Sequence, residues 1–137
     1  MIYAYEVEKK DDGFVGYVPD LDMHTKPQDS EEKAENVLVE GLSAYVEMAY
    51  RANGKPIPLP VTDCTDKMAL YVPIKLQLRI LLWNTMLDKH LKQTELAQLL
   101  GVSRIVVNQM INGKNAVSVE KYEEALKALG KFPDVQI

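Results

Sequence analysis

The most constraining stretch of this chain is Gln93-Thr-Glu-Leu-Ala-Gln-Leu-Leu-Gly-Val-Ser-Arg-Ile-Val-Val-Asn-Gln-Met-Ile-Asn112. Ala97 is small enough for two helices to approach closely, and Gly101 can take the positive φ that a tight turn demands. Ser103 offers a hydroxyl that can accept a free N–H at the start of a following helix. Leu96, Leu100, Val102, Val107 and Met110 recur where such helices would lock together. The spacing predicts two short helices, over 94–100 and 103–112, crossing steeply at Gly101.

Apolar periodicity predicts further helices over 75–89 and 118–129, so residues 75–137 are expected to form an all-α domain built around a helix-turn-helix. The second helix of the pair is then the candidate DNA reader. Its residues pointing away from the apolar lock are Arg104, Ile105, Asn108, Gln109 and Asn112. Arg bonds guanine O6 and N7 in bidentate fashion, Asn and Gln do the same for adenine N6 and N7, and Ile105 suits a thymine methyl. Gln93 at the first helix start and Lys114 in the turn beyond the reader are the expected phosphate contacts, with Ser103 as the cap that sets the reader's direction. An all-α interaction domain using the same glycine turn is the alternative.

The N-terminal half has a different period. Residues 2–7 and 14–18 are rich in β-branched and aromatic side chains around an Asp11-Asp12-Gly13 turn signal, predicting a β-hairpin. A short extended piece near 23–26 is a candidate third strand. Asp29-Ser30-Glu31-Glu32 reads as a helix start, with Asp29 capping and Glu32 reaching back. Ala34, Val37, Leu38, Gly41, Tyr45, Met48 and Ala49 then mark the expected apolar face, and Gly54 ends the helix. Alternating prolines in Lys55-Pro56-Ile57-Pro58-Leu59-Pro60 exclude helix and central strand. Residues 68–72 predict a closing strand. The fold class expected is α+β: a small β-β-β-α-β module over 1–62, closed near 68–72, followed by the helical domain.

Charge divides along the same line. Residues 1–62 carry 6 Lys+Arg against 12 Asp+Glu, a net −6, whereas residues 67–131 carry 10 against 5, a net +5. Two partners of opposite charge, one of them nucleic acid, fit that asymmetry. Cys64 is the only cysteine, which excludes an intramolecular disulfide and a thiolate metal cluster. No membrane span is expected, and the start MIYAYEVEKKDDG lacks a basic run leading into an apolar one, so a cytoplasmic setting is expected.

Residues 93–114, with helices on both sides, resemble the Cro/C1-type (XRE-like) helix-turn-helix of bacterial and phage repressors. The run Gly13-Phe14-Val15-Gly16-Tyr17-Val18-Pro19-Asp20-Leu21, the capped helix and the Pro56-Ile57-Pro58-Leu59-Pro60 exit resemble HicB-type antitoxins. Together the halves are similar in order and length to HicB antitoxins with a C-terminal helix-turn-helix. The chain departs from the commonest pattern after Leu21, where Asp22-Met23-His24-Thr25 stands. The resemblance implies a partial RNase H-like N-terminal module that neutralises a HicA toxin, a small basic mRNA-cleaving ribonuclease, and a C-terminal domain that represses its own operon. It implies binding to operator double-stranded DNA as a homodimer or higher homo-oligomer, with helix 118–129 and tail 131–137 as candidate dimer contacts.

No cofactor, metal site or catalytic residue is expected, so the chain is read as a regulator and not an enzyme. Glu6, Asp20, Asp22 and Glu40 are the acids that would have to converge for two-metal nuclease chemistry, and their spacing does not demand it. His24 and His90 lack a third ligand at a telling distance, and Cys64 lacks a basic activator. Trp83, Leu81 and Leu82 read as core. From the residues alone, a stand-alone repressor with a ligand-sensing or dimerising N-terminal module, or a nuclease using those acids, stays open.

Overall fold

The computed structural model describes residues 1–113 and 117–132. It divides into two compact units, Met1–Val72 and Pro73–Ile137. In the first, β1 (Ile2–Lys10) and β2 (Gly13–Val18) form the hairpin, β3 is the pair Met23–His24, α1 is Glu31–Ala49 and β4 is Met68–Tyr71. The sheet runs β3-β2-β1-β4, with every neighbouring pair antiparallel. One helix on one four-stranded sheet makes this unit α+β, and the second unit is helical.

β3 is short for a local reason. Thr25 turns its hydroxyl inward to accept from Gly16 N–H at 2.8 Å, replacing a strand-to-strand bond with a side-chain one. Thr25 N–H still donates to Gly16 O at 2.9 Å. The next backbone pair is Gln28, which exchanges two 2.8 Å bonds with Phe14, and Pro27 between them has no N–H to donate.

α1 begins one residue later than its acidic signature predicts. Ser30, extended at φ −149 and ψ 163, is the N-cap and accepts from Lys33 N–H at 3.1 Å, while Asp29 instead pairs with the Lys33 ammonium. The buried line is Ala34, Leu38, Leu42 and Val46, a strict i,i+4 row. Val37 and Met48, expected on that face, are 38% and 72% exposed. The true face is therefore narrower and rotated. Burying each of Leu38, Leu42 and Val46 contributes roughly 1.5–3 kcal/mol.

Polar bonds fasten the loops to this core. The Tyr50 hydroxyl donates to Leu21 O and the Tyr45 hydroxyl to Asp22 O, each at 2.6 Å, anchoring the 3-10 turn Pro19–Leu21 and its cap to the helix. The Pro-rich exit packs through buried Ile57 and through Tyr3, whose hydroxyl donates to Pro58 O at 2.5 Å. Asp20 holds the segment after it, accepting from Val61 N–H at 2.9 Å, Thr62 N–H at 3.0 Å and the Thr62 hydroxyl at 2.6 Å. Burial pushes the Asp20 carboxyl up, but those three bonds outweigh it and hold the group below the usual carboxylate range.

The second unit contains α2 (Ile74–Asp88), α3 (Gln93–Leu100), α4 (Arg104–Asn112) and α5 (Val119–Ala128). Its core joins Leu76, Ile80, Leu82 and Met86 of α2 to Leu96, Val107, Met110, Ile111, Tyr122 and Leu126. Among the described residues, no helix is long and apolar enough to cross a membrane.

Candidate nucleic-acid interface

The turn between α3 and α4 is closed by two backbone bonds. Gly101, at φ 67, donates to Gln98 O at 3.3 Å, and Val102 donates to Ala97 O at 3.0 Å. That pattern ends a helix with a left-handed residue and satisfies its last carbonyls, which is why a residue without Cβ sits at 101. Ala97, 5% exposed, and Leu96, fully buried, belong with Val107 and Met110 to the core where α3 packs on α4. Ser103 then caps α4, accepting from Val106 N–H at 3.3 Å. At the other end of the turn pair, Glu95 accepts from Lys92 N–H at 3.1 Å and fixes the start of α3.

Burying Val107, Met110 and Ile111 leaves the opposite side of α4 to solvent. Arg104, Ile105 and Asn108 are exposed there, Ile105 by 70%, and Gln109 and Asn112 are half-buried beside them. The amides are tied together: Asn112 Nδ2 donates to Asn108 Oδ1 at 2.8 Å, and Asn108 Nδ2 donates to Gln93 Oε1 at 3.2 Å. Gln93, the first residue of α3, is thereby joined to the middle of α4. Seven of the eight residues singled out from the sequence thus lie on α4, its cap or this amide row. Lys114 lies outside the described residues, as does 133–137 of the tail singled out for dimer contacts.

Two residues that position α4 had no assigned role in the sequence reading. Arg79 of α2 is buried, 6% exposed, and donates to Asn112 O at 3.4 Å. Tyr122 of α5 donates to Met110 O at 2.6 Å. Both reach carbonyls in the last turn of α4, where unpaired acceptors and the negative end of the helix dipole favour a donor or a cation. Burial raises the Tyr122 phenol, with Arg79 acting in the opposite direction. The available signal for Arg79 was a single charge inside the apolar run Leu76 to Trp83.

The acids considered for nuclease chemistry share no common partner among the described residues. Glu6 pairs with Lys67, Asp20 binds residues 61 and 62, Asp22 lies 3.3 Å from His24, and Glu40 is exposed on α1. No group of three or more His, Cys, Asp or Glu that could hold a metal occurs among the described residues.

Residues 86–134 match the family described as Helix-turn-helix. Across 96% of this chain, 27% of positions are identical to Antitoxin HicB 2 of Photorhabdus laumondii, of which 92% is covered. Antitoxin HicB of Escherichia coli K12 is 28% identical over 73% of this chain and 69% of its own length. The resemblance to HicB antitoxins runs through both units. Antitoxin HicB of Pseudomonas fluorescens adds 34% identity over 76 residues, about half of each chain. The similarity to HicB antitoxins thus covers the helix-turn-helix of the second unit and the sheet with its single helix in the first.

Proposed function

We propose that this chain neutralises a HicA-type ribonuclease through its first unit and represses its own operon by laying α4 in the major groove of operator DNA. The observation that carries the regulatory half is the exposed Arg104, Ile105 and Asn108 row, rigidly aimed by the Gly101 turn and the Ser103 cap. Arg104 is the guanine reader, Asn108 the adenine reader held in register by Gln93, and Ile105 the methyl contact. Lys114 adds a phosphate contact by its position in sequence.

One such helix spans only a few base pairs, so a two-fold pair of chains on a palindromic operator supplies useful affinity. The first unit, with its net −6 over 1–62, has the sign needed to attract a basic ribonuclease and obstruct its RNA surface. Support for the toxin half comes from the similarity to proteins named HicB over nearly the whole chain.

Co-expression with a cognate HicA-type ribonuclease tests the whole reading. Growth is expected to be rescued and the two proteins to co-purify, and the complex or free chain to retard the promoter DNA upstream of its own gene. Continued growth arrest with no co-purification would reject the antitoxin role, whatever the DNA result.

A further inference from the structure

The open half of β1 is the surface most prepared for a partner. β1 spans nine residues, yet β4 pairs only with Ile2 to Tyr5 and stops at Met68. On its other side β1 continues beside β2 as far as Lys10. Which peptide groups are left follows from the register. Phe14 and Gly16 turn their backbone bonds toward the β3 side, to Gln28 and Thr25, so Val15 and Tyr17 face β1. Their partners Glu8 and Glu6 therefore spend their peptide groups on β2, and those of Val7 and Lys9 point the opposite way. Neither Val7 nor Lys9 has a backbone hydrogen-bond partner on that side among the described residues.

A groove of about 470 Å³ lies where β4 ends, lined by Tyr5, Glu6, Val7, Glu8, Asp66, Lys67 and Met68. Glu6 is paired there with Lys67 and Glu8 with Lys10, and with Asp66 and the hairpin tip Lys9-Lys10-Asp11-Asp12 included, five carboxylates stand against three ammonium groups, a net −2. An extended cationic segment is the complementary occupant: its backbone completes the ladder and its charges meet the carboxylates.

We propose that the basic ribonuclease docks by adding one of its own strands to β1, antiparallel or parallel beside Val7 to Lys9 and in line with β4. This rests on the antitoxin reading above and specifies how the first unit holds its partner. Strand addition uses main-chain bonds, so affinity depends on two backbone N–H groups more than on any single side chain. It also explains how an edge that would invite self-association is kept closed in the complex.

The test uses the full chain and a cognate HicA-type protein, with the ribonuclease inactivated by mutation. Residue-resolved amide exchange is expected to show fast exchange at Val7 and Lys9 in the free chain and at least tenfold slowing in the complex. Lys9→Pro removes one edge donor from an exposed position while sparing the bonds to β2. It is expected to weaken ribonuclease binding at least tenfold, with thermal unfolding and promoter binding unchanged. Complex formation with unchanged exchange at both amides overturns the strand-addition proposal and leaves the antitoxin reading standing, even if Lys9→Pro misfolds. Protection already present in the free chain and lost on dilution would assign the edge to a second copy and also overturn it. Failure of the wild-type proteins to associate overturns both readings.

Discussion

Arg104 and Asp20 illustrate two opposite uses of a charged side chain. Arg104 lies on the first turn of α4 with its guanidinium exposed, and no described hydrogen bond anchors it in the free protein. Replacing it by alanine leaves the core untouched, so the expected loss is confined to operator DNA: about 1–3 kcal/mol of specific affinity, with little change on random-sequence DNA. Fluorescence anisotropy on the two DNAs checks this. Asp20 is fully engaged inside the fold by Val61 and Thr62. Its carboxyl is held below its ordinary value, so the unfolded chain binds the proton more readily. The stabilisation is complete above the unfolded carboxylate pKa and is lost as pH falls through the lower folded value. Asp20→Asn is expected to be less stable than wild type at neutral pH and to lose less on acidification below about pH 4. Urea titrations at several pH values would show two converging curves, and parallel curves would remove Asp20 from the account.

At the scale of elements, the helix-turn-helix is legible in sequence because its determinants are local. A left-handed glycine, a capping serine and a 3.6-residue apolar period all fall within twenty residues of one another. Register on α1 is less legible, since Val37 and Met48 are as apolar as Leu42 and only packing on the sheet selects one row. Asp29 and Ser30 are both good caps, and the extended backbone at Ser30 decides between them. Long-range ties are invisible: nothing near Asp20 announces Thr62, and nothing near Arg79 announces Asn112. The two turn glycines make the difference testable. A Cβ at Gly101 would meet nothing within 4 Å, so Gly101→Ala carries only the left-handed strain, about 1–2 kcal/mol. At Gly113, also left-handed at φ 68, a Cβ would land on the Arg79 guanidinium and lie 3.3 Å from its Cδ. Gly113→Ala therefore forces Arg79 off the end of α4 in addition to the strain. It is expected to be the more destabilising of the two in urea, and to lower operator affinity further by loosening the helix. Equal stability losses would mean that Arg79 relocates freely.

For the whole molecule the governing quantity is the division of charge. Residues 1–62 carry net −6 and residues 67–131 net +5, so each proposed binding function has its own electrostatic sign even though the chain as a whole is only −4. The proposed operator binding by the second unit would release condensed cations from DNA, and its log affinity should fall linearly with log salt, by about 0.9 for each phosphate neutralised. The proposed ribonuclease binding by the first unit has no such counterion atmosphere. Salt should slow its association by screening beyond a Debye length of about 10 Å at 0.1 M, with little effect on dissociation. Strand addition strengthens that contrast, because main-chain bonds set the dissociation rate and charges set the encounter. Surface plasmon resonance between about 50 and 300 mM salt should therefore show DNA affinity falling steeply while the ribonuclease dissociation rate stays nearly constant. A ribonuclease dissociation rate that rises in step with salt would mean that side-chain ion pairs, and not a shared sheet, hold the complex.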